Sequence, residues 1–184
     1  DRGEVAPSRD REVNPLALAL CAWEACWWAA SKVERRQKFA AARAAADRRG
    51  KSLLVVGEPD GEYPCGDVTL DIRERSVCPN YVRHSVENMP MFGNGQFGAA
   101  FVSFTLEHTC DPHAALAELH RVADEVLVVY PKPWRLSGRL QPGRRWTVHE
   151  DRPGQLRFEP ISGKRCNSAS RYGGLGAIPM IGRP

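Results

Sequence analysis

The stretch AAFVSFTLEHTCDPHAALAELHRVADEVLVVY, residues 99–130, decides the fold. It opens and closes with short runs rich in valine and aromatic residues, and each run is typical of a strand buried on both faces of a sheet. Between the runs, Asp111 is a favoured N-cap and Pro112 suits the first position of a helix. Apolar side chains then recur on one helical face. The stretch therefore predicts a strand–helix–strand crossover in a parallel sheet.

Upstream segments extend the same architecture. SLLVVG at 52–57 predicts a buried strand closed by glycine, 67–72 a second strand and 81–86 a weaker third. The Ala- and Arg-rich residues 31–49 predict a helix that Gly50 terminates. The fold class is α/β with a doubly wound, mostly parallel sheet, and ligands of such sheets bind at the carboxyl ends of the strands.

The chain divides into four predicted segments. The first residues mix charges with glycine and proline and show no apolar period, whereas the last ones, RYGGLGAIPMIGRP, are too rich in glycine and proline for a regular element. Two short runs, WTVH at 146–149 and QLRF at 155–158, predict a terminal hairpin. The segments are an arm (1–14), an N-terminal apolar and basic helical extension (15–49), the sheet domain (50–160) and an extended, irregular tail (161–184).

The run PLALALCAWEACWWAA, which begins at Pro15 and ends at Ala30, is apolar around its whole circumference. As a helix it would be about 24 Å long, shorter than a bilayer crossing, although its tryptophans and the basic residues after it resemble a membrane-interface belt. The alternative is a helix covered by protein, which Glu24 favours because a carboxylate is costly in lipid. The run and the C-terminal tail therefore predict protein partners in a larger assembly, with membrane contact as the second possibility.

Composition limits the classes of function. The 184 residues suffice for one domain, and the net charge of +4 is too mild to predict a nucleic-acid partner. No CxxC pair occurs, so we expect no metal site and no disulfide scaffold, but reduced thiols in a cytoplasmic and possibly membrane-associated protein. The six cysteines are Cys21, Cys26, Cys65, Cys78, Cys110 and Cys166.

Residues 85–122 resemble the middle of the class I S-adenosylmethionine-dependent methyltransferases. The similar phrases are ENMPMF at 87–92, the LEH that ends at His108, and the DP pair that opens the helix at Asp111. The resemblance extends over about residues 39–133 and implies a methyltransferase-like Rossmann fold. It also implies S-adenosylmethionine as cofactor, with Asp71 on the ribose hydroxyls. The implied cofactor-binding residues are Gly57, Gly61, Asp71, Val86 and Glu87.

The loop after the first strand departs from the family pattern. Residues 58–66 contain two prolines and are too few for a normal crossover helix, so we predict no regular helix there and a degenerate glycine loop. Ser85 and Gly98 stand where the family usually has acids. The sequence favours a non-catalytic scaffold subunit. The alternative is an active methyltransferase of unknown acceptor, with His108 as the general base.

Overall fold

The computed structural model describes residues 14–163, except residues 60, 75, 135–142 and 153. A five-stranded parallel sheet carries helices on its faces, and a two-stranded antiparallel hairpin packs beside it. The elements are α1 (Pro15–Arg48), β1 (Ser52–Val56), β2 (Val68–Asp71), β3 (Tyr81–Arg83), β4 (Phe97–Ser103), α2 (Pro112–Val122), β5 (Val126–Val129), β6 (Trp146–Arg152) and β7 (Gln155–Pro160).

The sheet has the strand order β3-β2-β1-β4-β5, and every neighbouring pair is parallel. The order reverses between β1 and β4, as in doubly wound folds, so the predicted fold class is confirmed. β4 is buried along its whole length, which explains why its sequence is apolar without alternation. The predicted hairpin is also confirmed, because β6 and β7 pair antiparallel.

One face of the sheet is covered by the second half of α1. Buried alanines on this part of the helix lie directly on the strands, and Gly98 of β4 allows the close approach. A Cβ atom at Gly98 would lie 2.8 Å from the Cα atom of Ala46. The predicted extension is therefore one continuous helix of 34 residues, about 51 Å long, whose second half belongs to the core of the domain.

The first half of α1 projects beyond the sheet. Asn14 caps the helix, since its side chain accepts a hydrogen bond from the N–H of Leu16 at 2.9 Å. Large apolar side chains remain exposed there, with Leu16 at 66% and Trp23 at 54%. Within residues 14–163, the apolar stretches of the helices are too short or too interrupted by charge to cross a bilayer.

The connection from β1 to β2 contains no helix in its described residues, as the sequence predicts. Tyr63 instead lies on the sheet, with its ring centroid 4.9 Å from that of Phe101 and 5.7 Å from that of Phe39. One aromatic side chain thus fills part of the face that a crossover helix would cover. The described part of the β2–β3 connection likewise contains no helix.

The prediction of reduced thiols is wrong for Cys65, Cys78 and Cys110, whereas Cys21 and Cys26 are free. Cys65 and Cys78 form a disulfide that joins the β1–β2 connection to the β2–β3 connection, and Cys110 is also disulfide-bonded. The spacing of 13 residues between Cys65 and Cys78 gave no sign of pairing, because their proximity arises only when β2 and its two flanking connections come together. Such bonds are typical of proteins in oxidising compartments.

The opposite face of the sheet packs against α2 and the hairpin. Val148 of β6 and Phe158 of β7 are buried in the same core as Leu119 of α2. Arg121 of α2 ties the β3–β4 connection to the helix, because its guanidinium donates to the carbonyls of Met89 and Phe92, each at 2.9 Å. Glu118 holds that guanidinium from the helix itself at 2.7 and 2.8 Å. This network fixes a connection that contains no helix.

Candidate functional site

The carboxyl ends of β1 and β4 meet at Gly57. Its φ of +96° is a conformation that favours glycine. A Cβ atom there would lie 2.7 Å from Thr105 Oγ1 and 3.0 Å from the carbonyl oxygen of Ser103. The absence of a side chain at Gly57 therefore accommodates the chain that follows β4.

Asp71 ends β2 beside Gly57, and both of its carboxylate oxygens accept backbone hydrogen bonds. Oδ2 accepts the N–H of Glu58 at 2.8 Å, and Oδ1 accepts the N–H of Arg73 at 3.2 Å. The Tyr81 hydroxyl donates to the carbonyls of Asp71 and Arg73 at 3.0 and 2.6 Å. Burial, then the negative charges of Asp71 and Glu58, raise the pKa of Tyr81 to about 12. Asp71 thus joins the β1–β2 connection to the chain after β2.

Glu58 and Gly61, in the loop after β1, lie in different environments. Glu58 turns inward, where Oε1 accepts the N–H of Val77 at 3.4 Å and Oε2 is buried without a hydrogen-bond partner in the part of the chain that the structure describes. Gly61 has a φ of +75° and open space around the position of a Cβ atom. Gly61 therefore serves a turn, and the structure places it away from the contact that Gly57 makes with Thr105.

Val86 and Glu87 lie in the β3–β4 connection. Val86 is buried in the core beneath the sheet. The Glu87 carboxylate accepts the backbone N–H groups of Cys110 and Asp111, the latter at 3.1 Å. Because Asp111 itself caps α2 through the N–H groups of the first turn, Glu87 adds a second acceptor at the same helix terminus.

Glu107 and His108 lie in a 3-10 turn after β4 (Leu106–His108), and their environments differ. Glu107 is fully buried, and neither of its carboxylate oxygens has a hydrogen-bond partner among the described residues. This burial raises the pKa of Glu107 to about 7, although the positive charge of buried Arg144 acts in the opposite direction. The His108 side chain is 31% exposed, with Nε2 4.0 Å from Glu107 Oε1.

The chain before β6 closes over this turn. The N–H of Arg145 donates to the carbonyl of Glu107 at 2.7 Å, and its guanidinium donates to the carbonyl of His108. Trp146 Nε1 donates to the carbonyl of Thr109 at 2.9 Å. Sequence reasoning could not predict these contacts, because Trp146 and Thr109 lie 37 positions apart in the chain. Their effect is to seal Glu107 from solvent while His108 stays at the surface.

A cleft of about 510 Å³ lies beyond the carboxyl end of β5. Tyr130 forms part of its wall and donates a hydrogen bond to Glu150 at 3.0 Å. Burial is the largest cause of a raised pKa at Tyr130, and the hydrogen bond and charge of Glu150 add to it. Lys132 lies 4.5 Å above the Tyr130 ring. The lining residues are Tyr130, Lys132, Pro133, Trp134, His149, Glu150, Asp151 and Arg152.

The structure therefore brings Gly57 and Asp71 together around the backbone of Glu58, whereas Glu87 lies at the start of α2 and His108 in the turn after β4. None of these residues lines the 510 Å³ cleft. Sequence reasoning places Glu107 with His108 at the carboxyl end of β4, where a substrate would lie, but it does not predict the burial of Glu107 beside buried Arg144. The predicted cofactor and catalytic roles remain predictions.

Residues 61–125 match the family model described as a methyltransferase domain. No curated protein and no solved structure matches the chain significantly. The matched segment begins after β1 and Gly57 and includes β2, β3, β4 and α2, the part of the fold in which the resemblance is strongest. This match agrees with the predicted resemblance to the class I S-adenosylmethionine-dependent methyltransferases over residues 61–125.

Proposed function

We propose that this methyltransferase-like domain is non-catalytic and acts as a scaffold subunit of a larger assembly. The proposal rests on one observation: backbone N–H groups of the same chain donate hydrogen bonds to the Asp71 carboxylate. Each carboxylate oxygen of Asp71 already accepts a backbone N–H, and the amide of Glu58 is 2.8 Å from the oxygen that would receive a ribose hydroxyl. The residue that resembles the family's ribose acid thus has a structural role within its own chain.

The loop after β1 supports the same proposal. A cofactor cradle needs small residues whose backbone amides face an open space, often at the start of a helix. Here the space beside Gly57 holds the Thr105 side chain and the Ser103 carbonyl, and no helix follows in the described residues of the loop. These residues do not fit S-adenosylmethionine as the family's glycine loop would.

The remaining predicted site residues also have structural roles. Val86 is a core residue, Glu87 holds the terminus of α2, and Gly61 serves a turn. The strongly perturbed carboxyl of the region, Glu107, is sealed from any substrate. Residues with two roles occur in enzymes, but here the fold alone accounts for each of them.

The second candidate is an active methyltransferase, and the cleft beside Tyr130 favours it. This cleft follows β5, where methyl acceptors are expected in the family fold, and it combines an aromatic wall with the titratable side chains of His149 and Glu150. His108 is accessible at the end of β4. Both candidate functions share the fold. They differ in whether the carboxyl edge, the edge of the sheet formed by the carboxyl ends of its strands, binds the cofactor.

Isothermal titration calorimetry with S-adenosylmethionine and S-adenosylhomocysteine separates the candidates. The proposal predicts no saturable heat for the full chain at millimolar ligand. Asp71→Ala is the matched control, because loss of a buried polar partner in a real cofactor site weakens binding by about 1 to 3 kcal/mol, roughly 5- to 150-fold. Saturable binding that Asp71→Ala weakens to this extent would overturn the proposal in favour of the enzyme.

A further inference from the structure

Residues 144–146 cover the turn after β4 by bonding to its carbonyl groups. The Arg145 N–H donates to the carbonyl of Glu107 at 2.7 Å, and Trp146 Nε1 donates to the carbonyl of Thr109 at 2.9 Å. We call residues 144–146 the clasp. Its donors bond to the main chain of the turn, and none of them reaches the Glu107 carboxylate. The clasp therefore covers this carboxylate without satisfying it.

The Glu107 side chain is fully buried, and neither carboxylate oxygen has a hydrogen-bond partner in the described part of the chain. A neutral carboxyl tolerates such a position. An ionised one loses its hydration there and gains no donor in return. Ionisation of Glu107 therefore favours any rearrangement that lets water reach the carboxylate.

The charged groups around the turn do not replace the missing donors. Arg144 of the clasp is buried, and its positive charge favours the ionised carboxylate, but burial has the larger effect on Glu107. His108 lies beside it on the turn, with Nε2 4.0 Å from Glu107 Oε1. Asp111 and Glu87, from α2 and the β3–β4 connection, both bond to the N–H groups at the start of α2. No carboxylate donor is left among these contacts.

Histidines on three elements near the turn change charge in the range in which a buried carboxyl titrates. His108 lies on the turn itself. His149 of β6 has Nε2 3.1 Å from Glu159 Oε2, and His113 of α2 packs against Phe158 with 5.2 Å between ring centroids. A substitution at Glu107 alone is needed to separate its charge from theirs.

The clasp can open while the hairpin stays in place. Val148 of β6 and Phe158 of β7 are buried in the core, so the hairpin is anchored beyond the clasp. The clasp itself is held by hydrogen bonds that water can replace, including the one from the Ile161 N–H to the Arg145 carbonyl at 2.8 Å. Local opening therefore leaves the apolar core intact.

We propose that the clasp is a pH-sensitive closure of the turn after β4, shut while Glu107 is protonated and opened when Glu107 ionises and takes up water. Opening exposes the Glu107 carboxylate and frees the carbonyls of residues 107–109 at the carboxyl end of β4. This inference goes beyond the proposed function, because it does not depend on whether the sheet binds a cofactor.

Proton linkage gives the size of the effect. Burial raises the pKa of Glu107 to about 7 in the closed form, whereas the solvated carboxyl of the open form has the ordinary value of 4.5. The open form then binds fewer protons, so opening becomes more favourable as the pH rises. From pH 5 to pH 8 the ratio of open to closed form should increase about 70-fold. Hydrogen exchange detects this change even when the open form is a minor state.

Hydrogen exchange of the full chain, followed by NMR at pH 5 and pH 8, tests the proposal. The clasp probes are the Arg145 amide and the Trp146 indole N–H, and the Val148 amide reports on unfolding of the hairpin. After correction for intrinsic exchange rates, protection of both clasp probes should fall about 70-fold between the two pH values. At pH 8 the clasp probes should exchange at least about 10-fold faster than Val148.

Two variants assign the effect. Glu107→Gln keeps the shape of the side chain but cannot ionise, so protection of the clasp probes should change by less than about 3-fold between pH 5 and pH 8. His149→Asn is the matched control, because it removes a titrating group of β6 and leaves Glu107 in place. It should retain the fall of about 70-fold.

Three results would overturn the inference. The first is wild-type protection that changes by less than about 3-fold. The second is an equal fall in Glu107→Gln, which would assign the effect to the histidines. The third is equal exchange of the clasp probes and Val148, which would mean that water reaches Glu107 only by unfolding. If Glu107→Gln does not fold, the wild-type profile decides, because protection should stop falling above about pH 7, and a fall that continues to pH 9 would contradict the proposal.

Discussion

Replacement of Glu107 by glutamine tests whether the turn after β4 is sealed as the structure shows. The pKa of the buried carboxyl is about 7, against 4.5 for an unperturbed glutamate. Between these values the folded state binds more protons than the unfolded chain, so the free energy of unfolding falls as pH rises through this window. The full difference corresponds to about 3 kcal/mol, of which about 2 to 3 kcal/mol is lost between pH 5 and pH 8.

Glutamine mimics the protonated carboxyl and does not titrate. Urea unfolding of wild type and Glu107→Gln, followed by tryptophan fluorescence at pH 5 and pH 8, gives the variant's relative stability at each pH. The wild type should lose about 2 to 3 kcal/mol relative to the variant between the two pH values. Any constant cost of burying the amide cancels in this comparison, as do the other titrating groups. A relative stability that changes by less than about 0.5 kcal/mol would refute the burial argument.

Three further substitutions test the packing that positions the site. Arg121→Ala should lower the free energy of unfolding by about 2 to 3 kcal/mol, because two carbonyls of the β3–β4 connection lose charged donors. Arg121→Lys should recover only part of this loss, because an ammonium cannot donate to both carbonyls as the planar guanidinium does. Equal stabilities of the two variants in urea unfolding would contradict this role of the guanidinium. Joint replacement of Cys65 and Cys78 by alanine should cost about 3 kcal/mol through loop entropy, and an unchanged melting temperature would contradict this. Gly98→Ala should cost about 1 to 3 kcal/mol because its Cβ atom would lie 2.8 Å from Ala46, and a calorimetric scan that matches wild type would show that α1 can shift freely.

The strands and α2 were predictable because their signals are local. β4 and β5 are uninterrupted apolar runs, and the Asp111-Pro112 pair marks the start of α2 where the structure has it. The observed strand ends differ from the predicted ones by one to three residues, for example Arg83 instead of residue 86 for β3. A buried parallel strand leaves this pattern in the sequence because both of its faces exclude water.

The features that sequence reasoning missed depend on contacts between distant parts of the chain. The pairing of Cys65 with Cys78 requires both connections around β2 to meet, and the burial of Glu107 requires the chain at Arg144 to return over the turn. The hydrogen bond from the Glu58 amide to Asp71 arises because the loop after β1 is too short to form a helix. Residue types at these positions were visible, but their partners were not.

The most direct test of the account is a titration of the isotopically labelled full chain with S-adenosylmethionine, followed by amide NMR. The resonances of Gly57, Glu58 and Asp71 report on the carboxyl edge at which the family binds its cofactor. The account predicts that these three amides keep their positions up to millimolar ligand, and that the Glu58 amide is protected from hydrogen exchange by its bond to Asp71. Saturable shifts at these amides, together with loss of that protection, would contradict the scaffold role and establish a functional cofactor site.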